Sequence, residues 1–315
     1  MSVFLARRFL SFLITLSGAS VFIFLLLEVL PGDPALTMLG VDAPDSAIEA
    51  IRLELGLDRP AFVRYVDWIA GLFHGEMGLS YVYKVPVTEL IAQRLAVTLP
   101  LSIGAMALAT VMALTLGIFA ATHHNKLGDY GVMGFSQLGL AIPDFWFGIL
   151  LIILFAVILH WLPSGGFSGW DEGFWRGVRS LTLPIFTQAL SLTAIMTRVT
   201  RSSVLEVARE DYVRTARAKG LSRRAALWGH VLRNALVPVL TIGGLLVATV
   251  VTGTLVIENV FALPGLGKLI FDAISNRDLM VVKNVVLLFA AIVVLVNFVV
   301  DILYAMVDPR IRIHA

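Results

Sequence analysis

The sequence contains no cysteine and few charged residues, and both shortages restrict what the chain can be. Without cysteine it has no disulfide, no thiolate metal site and no cysteine nucleophile, and cysteine usage says nothing about the redox compartment. Charged residues make up 15% of the 315 residues, whereas 58% are hydrophobic and the mean hydropathy is +0.88. This apolar content exceeds what a soluble core of that size needs, so the composition indicates an integral membrane protein.

Motifs for nucleotide binding and catalysis are also missing. The one candidate for a phosphate-binding loop is Phe261–Leu269, and it fails because Ala262 replaces the first glycine and Leu269 replaces the magnesium-binding hydroxyl. Neither HExxH nor GxSxG occurs, and the six histidines show no spacing suited to a metal ion. The sequence therefore predicts no catalytic residue, no metal site and no cofactor bound by this chain, and we expect no nucleic acid partner.

Six apolar segments reach or approach the length of about 20 residues that a helix needs to cross a membrane. They are Phe9–Leu30, Leu99–Thr122, Val132–His160, Leu181–Thr197, Ala235–Ile257 and Asn284–Val300. The fourth and sixth are short as written, and we expect them to extend at both ends. The first is too long for a signal-peptide core and lacks a small-residue cleavage site, so it is predicted to remain as an anchor.

Basic residues predict the orientation of these spans. They precede the first span, lie between the second and third and between the fourth and fifth, and follow the sixth, at Arg7, Arg8, Lys126, residues 198–233, Arg310 and Arg312. All of these fall on one side if both termini are cytoplasmic. Residues 31–96, on the opposite side, contain nine acidic and five basic residues. The predicted fold is an all-α membrane protein with six spans and cytoplasmic termini.

Three parts are predicted along the chain. Residues 1–98 form an anchor helix with an extracytoplasmic helical segment, residues 99–308 form a core of five spans with a cytoplasmic loop at 205–234, and residues 309–315 form a cytoplasmic tail.

The extracytoplasmic segment is predicted to begin with a turn at residues 31–34 and to contain two helices. Asp45 is expected to cap the first helix, and Gly56 to end it. The second, after Pro60, has an apolar stripe formed by Phe62, Tyr65, Val66, Ile69 and Phe73. Such a helix either lies in the membrane interface or packs on the outer ends of the spans, as a structural cover or as a docking site.

The cytoplasmic loop is strongly basic, with nine Lys or Arg and three acidic residues between positions 198 and 233. Its composition predicts a helix over Asp211–Lys219 that ends at Gly220, followed by a second helix from Arg223 to about Asn234 with Ser222 as its N-cap. Val213, Ala216 and Gly220 would share one face and allow close backbone approach by whatever element contacts it. From the residues alone, the loop is either a solvated segment that fixes topology or a docking surface.

The run Tyr212–Ser222 resembles the cytoplasmic EAA loop of permease subunits of binding-protein-dependent ABC importers, in their dipeptide/oligopeptide branch. Counting from Gly220 puts Arg214 at the position of the generic Glu, with Thr215 and Ala216 at the two Ala positions. Three positions depart from the generic motif and are similar to the peptide-branch variant, namely Arg214, His230 and Arg233. Further segments resemble the same branch, namely Leu30–Pro34, Leu55–Pro60, Gly78–Ser80, Glu258–Phe261, Pro264–Gly267 and Asp308–Arg312.

The resemblance implies a type I ABC importer permease fold in the bacterial inner membrane. A second permease subunit, identical or different, would complete a translocation pathway, two cytoplasmic ATPases would bind ATP and magnesium, and an extracytoplasmic receptor would deliver the solute. This chain would be a non-catalytic subunit surrounded by membrane lipid. The residues that would couple it to an ATPase are Arg214, Thr215, Ala216, Arg217, Gly220 and Leu221.

The resemblance implies a di- or oligopeptide cargo, with glutathione, a nickel chelate, an opine or a glycoside as alternatives. Within the spans, Asp144 follows Pro143 and either faces the pathway or pairs with a neighbouring span. Gly243 and Gly244 either pack closely against a partner or line the pathway. Glu28 and Asp301 lie near span ends, where interface placement or structural pairing is expected.

Two other classes of protein remain as alternatives. An ion-coupled secondary transporter would work without ATPases and often shows inverted repeats with paired broken helices, and no such repeat is seen in the sequence. A membrane-embedded enzyme would need a catalytic set within its spans. Asp144 has no second carboxylate on its own predicted helix, and no histidine lies deep in a span.

Overall fold

The computed structural model describes residues 2–29, 34–40 and 43–307, and its regular elements in these ranges are helices. In chain order they are α1 Ser2–Val29, α2 Pro34–Leu39, α3 Asp45–Glu54, α4 Ala61–His74, α5 Val87–Thr122, α6 Leu127–Ala141, α7 Asp144–Leu151, α8 Phe174–Val207, α9 Asp211–Ala218, α10 Arg223–Ala226, α11 Leu232–Val260, α12 Leu266–Ser275 and α13 Leu279–Val307. The predicted turn at residues 31–34 and the predicted tail at 309–315, with Arg310 and Arg312, lie largely or wholly outside the described residues.

Among the described residues, five helices are long and apolar enough to cross a membrane, and a bent pair of helices brings the number to six. The five are Ala6–Glu28, Val87–Thr122, Phe174–Val207, Arg223–Val260 and Leu279–Ile302. The predicted spans are therefore confirmed in number when the bent pair counts as one. The fourth and sixth spans extend beyond their predicted ends, as expected.

The third span was predicted as one helix over Val132–His160, and this is wrong. Leu127–Ala141 and Asp144–Ile158 are separate helices that meet at an angle of 103°. The break lies at Ile142 and Pro143, which are both extended. Proline has no N–H to donate and disfavours helical geometry at the residue before it, so the helix ends there. The second helix continues from α7 through a π-helical segment, Ile152–Ile158.

The described chain divides into two compact units. One comprises Pro100–Leu263 and the chain from Val296 on, and the other comprises Ser2–Leu99 with Pro264–Leu295. In the first unit, α5, α8 and α11 share an apolar core that includes Ala109, Leu192 and Val239. Small residues bring the helices close, since a Cβ at Gly117 of α5 would lie 2.5 Å from Thr200 Cβ of α8.

In the second unit, α1 packs against α4 through Ile23, Phe24 and Trp68. The face of α4 that packs overlaps the predicted stripe in part. Tyr65 and Ile69 of the stripe pack beside the buried Trp68, whereas Phe62 and Phe73 are 76% and 86% exposed. Helical spacing identified an apolar α4 but not Trp68 as the centre of its packed face, because aromatic residues lie on both sides of the helix.

Two carboxylates of this unit, Asp45 and Glu28, were assigned roles from the sequence. Asp45 is the first residue of α3 and not its cap, because Pro44 takes the N-cap position. Glu28 pairs with Arg64 of α4, which confirms structural pairing for this carboxylate.

A buried polar network fixes the start of α13. The Asp278 carboxylate accepts hydrogen bonds from Ser80 Oγ at 2.5 Å and from the backbone N–H of Val82 at 3.2 Å. Asn284 accepts a hydrogen bond from Trp68 Nε1 at 3.0 Å and donates one to the Met77 carbonyl at 2.8 Å. The loop before α5 is therefore held by side chains of α13 and of the residue that precedes it.

The close approach of α5 and α8 predicts opposite effects for the same substitution at two helical glycines. We expect Gly117→Ala to destabilise the protein by about 1–3 kcal/mol, because its new methyl group overlaps the fully buried Thr200. Gly131→Ala in α6 meets no atom within 4 Å and gains helix propensity, so it should be neutral or stabilising. Thermal unfolding of the two variants in detergent checks this, and equal midpoints would contradict it.

Candidate functional site

The basic loop contains the predicted short helix, α9, with the end geometry that its sequence indicates. Gly220 has φ +97°, its N–H donates to the Arg217 carbonyl at 3.0 Å, and the Leu221 N–H donates to the Ala216 carbonyl at 3.3 Å. These two bonds form a Schellman motif, in which the residue after the cap is left-handed and is usually glycine. The predicted end at Gly220 is confirmed.

The next helix begins where predicted but does not end there. Ser222 is its N-cap, and its Oγ accepts the N–H of Ala225 at 3.2 Å. The helix was expected to end near Asn234. Instead α10 passes through a π-helical segment, Leu227–Val231, directly into α11, and Pro238 is accommodated inside that helix. One helical element therefore joins the loop to a membrane span.

The inner face of α9 was predicted to allow close approach by another element, and at Val213 that element is part of the same chain. Val213 is buried in an apolar cluster of its own chain, with Val204 of α8, Ala226 of α10 and Leu232 of α11. An additional bond joins Asn234 Nδ2 to the Tyr212 hydroxyl at 2.7 Å. The helix is thus seated on the ends of both flanking spans.

The outer face of α9 is exposed and has the polar side chains. Arg214, Thr215, Arg217, Ala218 and Leu221 are all exposed, whereas Ala216 is half-buried. Five of the six predicted coupling residues are thus accessible, Gly220 included. Their role in coupling stays a prediction.

A buried ion pair near this loop was missed by the sequence reasoning. Asp129 of α6 is 1% exposed, and its carboxylate accepts hydrogen bonds from Arg201 Nε at 2.5 Å and Nη2 at 2.7 Å. It also accepts the Asn125 N–H at 3.0 Å. Arg201 was counted only as part of the basic excess. An isolated Asp in an otherwise uncharged apolar segment is the signal that indicates such a pair.

Asp144 lies at the start of α7, where the proline break positions it near α8. Ser191 Oγ of α8 donates a hydrogen bond to Asp144 Oδ1 and lies 3.5 Å from the Gly139 carbonyl. That carbonyl is four residues before Pro143, which has no N–H to offer it. Asp144 is half-buried, and Ser191 is its hydrogen-bond partner on a neighbouring span. Contact with a solute stays a prediction.

Gly243 and Gly244 differ in their surroundings. A Cβ at Gly244 would lie 2.5 Å from Val300 of α13, so this glycine allows close packing within the chain. Gly243 is half-buried, and a Cβ there would meet only Met196, at 3.7 Å. Lining of a pathway by either glycine stays a prediction. Among the described residues, no three His, Cys, Asp or Glu side chains are grouped as a metal ion requires.

Comparison with known proteins agrees with this arrangement. Residues 113–313 match the family described as binding-protein-dependent transport system inner membrane component, and residues 1–102 match its N-terminal counterpart. A putative peptide transport system permease protein of Brucella abortus is 44% identical over 289 residues, which cover 92% of each chain.

Two further relatives cover 98% of both chains. The di/tripeptide transport system permease protein DppB of Pseudomonas aeruginosa is 42% identical over 330 residues, and the glutathione transport system permease protein GsiC of Escherichia coli is 40% identical over 309. Among solved structures, an inward-facing MetNI methionine ABC transporter has a TM-score of 0.58 at 18% identity, covering 70% of this chain and 96% of that one. This structure shows the fold alone.

The long apolar helices and the family match make the protein a multi-pass component of the bacterial inner membrane. The chain belongs to the family of binding-protein-dependent transport system inner membrane components, and within it to the peptide branch of ABC importer permeases.

Proposed function

We propose that this chain forms, with a second permease subunit, the translocation pathway of an ATP-driven importer for di- or oligopeptides or peptide-like solutes. Two cytoplasmic ATPases would supply ATP and magnesium, and an extracytoplasmic receptor would deliver the solute. The chain itself would be non-catalytic. The observation that carries the proposal is the position of α9, which is seated by Val213 on α8 and α11 and exposes its opposite face.

This position suits a mechanical link. A short helix that rests in a groove of a partner can transmit rigid-body movement to the elements packed behind it. Val213 is buried in one cluster with Val204 and Leu232, so a displacement of α9 would act on both flanking spans at once. The helix from Arg223 to Val260 is continuous, so no flexible joint separates the loop from the membrane. ATP binding would bias an inward/outward equilibrium if the ATPases contact the two states differently.

The cargo proposal rests on the relatives. Their names specify peptides, di/tripeptides and, for one, glutathione. All of these solutes are amide-linked and contain ammonium and carboxylate groups. Asp144 is a carboxylate in a span and would suit the ammonium group if it faces the pathway. Glutathione is the second candidate because a relative named for it is 40% identical.

An ion-coupled secondary transporter remains the alternative of a different class. The bent pair at Pro143 is one broken span, but an inverted repeat would supply a second one, and the described helices contain a single such pair. Solute uptake that survives removal of the partner ATPases would support the alternative over the importer.

The packing of α9 predicts that substitutions on its buried face and on its exposed face impair transport in different ways. We expect Val213→Ala to keep the ATPases bound but to lower solute transported per ATP several-fold, because lost packing of about 1–3 kcal/mol loosens the link to α8 and α11. Ala218→Trp, on the exposed face, should instead prevent the ATPases from co-purifying with the permease. For both variants, subunit stoichiometry is measured on the purified complex, and transport and ATPase rates are measured in vesicles.

A matched control accompanies the inner-face variant. Val256→Ala removes the same two methyl groups from a 46% exposed position of α11, and it should leave the transport-to-ATP ratio unchanged. If Val213→Ala transports like Val256→Ala, α9 does not transmit movement through this contact.

The left-handed end of α9 predicts a second pair of variants. Gly220→Ala should destabilise the end of α9 by about 1–2 kcal/mol, because an L-residue is strained at φ +97°. The variant should also reduce solute-stimulated ATP hydrolysis. Gly220→Pro should abolish that stimulation, since it also removes the N–H that binds the Arg217 carbonyl. Gly229→Ala is the control, because neither glycine has an atom within 4 Å of a new Cβ and only Gly220 has positive φ. Equal stimulation in all three variants would rule out a coupling role for this end.

A further inference from the structure

The second unit contains a cavity of about 340 Å³ with no assigned ligand. Its walls come from the end of α1, the loop before α4, one face of α4, the loop before α5 and the start of α13. This volume lies within the usual range for small-molecule pockets, about 300–1,000 Å³. The lining combines apolar residues such as Leu27 and Leu279 with charged residues of both signs.

Most of the charges around the cavity are paired with each other. Arg64 pairs with Glu28, and Arg59 Nη1 lies 3.3 Å from Asp67 Oδ2. Each pair contains one cation and one carboxylate, so together they add no net charge to the cavity. The remaining charged side chains of the lining are Lys283 and Glu76.

Lys283 is half-buried, and the charged groups that act on it are Glu28 and Arg64, which pair with each other. In the part of the chain that the structure describes, no carboxylate lies within ion-pair distance of Lys283. Its Nζ lies 5.1 Å from the centroid of the Trp68 ring. A cation–π contact compensates only part of the hydration that an ammonium loses on burial, so an additional anion would be favourable here. Glu76 is exposed and likewise has no ion-pair partner among the described side chains. The cavity therefore presents one unpaired cation and one unpaired carboxylate.

The height of the cavity relative to the membrane follows from the span ends. Glu28 is the last residue of the apolar segment Ala6–Glu28, and Lys283 is the fifth residue of Leu279–Ile302. Both side chains line the same cavity, which therefore lies at the edge of the hydrocarbon core, where lipid headgroups are found. Leu25 and Leu26, which neighbour the lining residues along α1, are 55% and 49% exposed.

We propose that this cavity binds the phosphoethanolamine headgroup of a phospholipid, with the phosphate at Lys283 and the ammonium at Glu76. The two free charges match a zwitterion, whereas a purely anionic headgroup would leave Glu76 unpaired. The exposed leucines of α1 near the cavity suit the acyl chains, which a soluble headgroup lacks. Tyr81 also lines the cavity, and burial, followed by the charge of Asp278, raises its pKa to about 12. Its hydroxyl, protonated at neutral pH, would be a hydrogen-bond donor for the phosphate.

Native mass spectrometry of the full chain, purified in detergent with any subunits that remain bound, tests the proposal. The titrants are phosphatidylethanolamine, phosphatidylglycerol and soluble glycerophosphoethanolamine. We expect one tightly bound phosphatidylethanolamine, weakened about tenfold or more by Lys283→Gln, the loss typical of one charge-assisted hydrogen bond. Lys283→Arg should restore most of the affinity. Lys126→Gln removes one exposed positive charge from a residue that does not line the cavity, and it should bind like the wild type.

Glu76→Gln keeps the test decisive if Lys283→Gln fails to fold, because Glu76 is exposed. It should weaken phosphatidylethanolamine several-fold and leave phosphatidylglycerol unchanged. Wild-type affinity in both Lys283→Gln and Glu76→Gln would overturn the site. Equal affinity of the wild type for the two lipids would overturn the zwitterionic assignment. Competition by glycerophosphoethanolamine at the lipid's own concentration would show that the ligand is a free headgroup and not a lipid.

Discussion

A bilayer offers no water to a backbone N–H or carbonyl. The backbone groups that a break inside a span leaves unbonded therefore need hydrogen-bond partners from other parts of the protein. The break at Pro143 shows where this chain faces that constraint. The proline leaves the Gly139 carbonyl without its helical donor, and Ser191 Oγ of α8 lies 3.5 Å from that oxygen. The same hydroxyl donates to Asp144. The bend of 103° is therefore tied to a particular residue of a neighbouring helix, and Asp144 is bonded and not left isolated in the membrane.

The same constraint explains why the basic loop is joined so directly to the spans. Pro238 removes one backbone donor inside α11, yet the helix runs on from Arg223 to Val260. The left-handed turn at Gly220 and the cap at Ser222 place the change of direction outside the apolar segment, where water and side chains satisfy the backbone. The change of chain direction is thus confined to the few residues between α9 and α10, and the helices on both sides of this turn pack in one apolar cluster.

Sequence reasoning predicted what depends on local chemistry. The apolar spans, the end of α9 at Gly220 and the cap at Ser222 follow from residue types and their immediate neighbours. The packed face of α4 followed only in part, because the helix has apolar residues on more than one side and only a tertiary partner selects between them. The element that covers Val213 did not follow, because it is formed by residues distant in the sequence. The break at Pro143 did not follow either, since proline is also compatible with a continuous helix, as Pro100, Pro184 and Pro238 show.

The contacts of α8 suggest how movement at the loop would reach the middle of the membrane. Near its end, Val204 packs in the cluster that holds α9, and Arg201 pairs with the buried Asp129 of α6. About three turns earlier, Ser191 holds Asp144 at the break between α6 and α7. Separating Arg201 from Asp129 would leave a buried charge unpaired, which is strongly unfavourable, so α6 is expected to follow α8 when α8 moves. The hydrogen bond from Ser191 to Asp144 involves one charged group and not two, so breaking it costs less free energy than separating the ion pair. A displacement of α9 would therefore move α8 and α6 together and concentrate the change at the break beside Asp144.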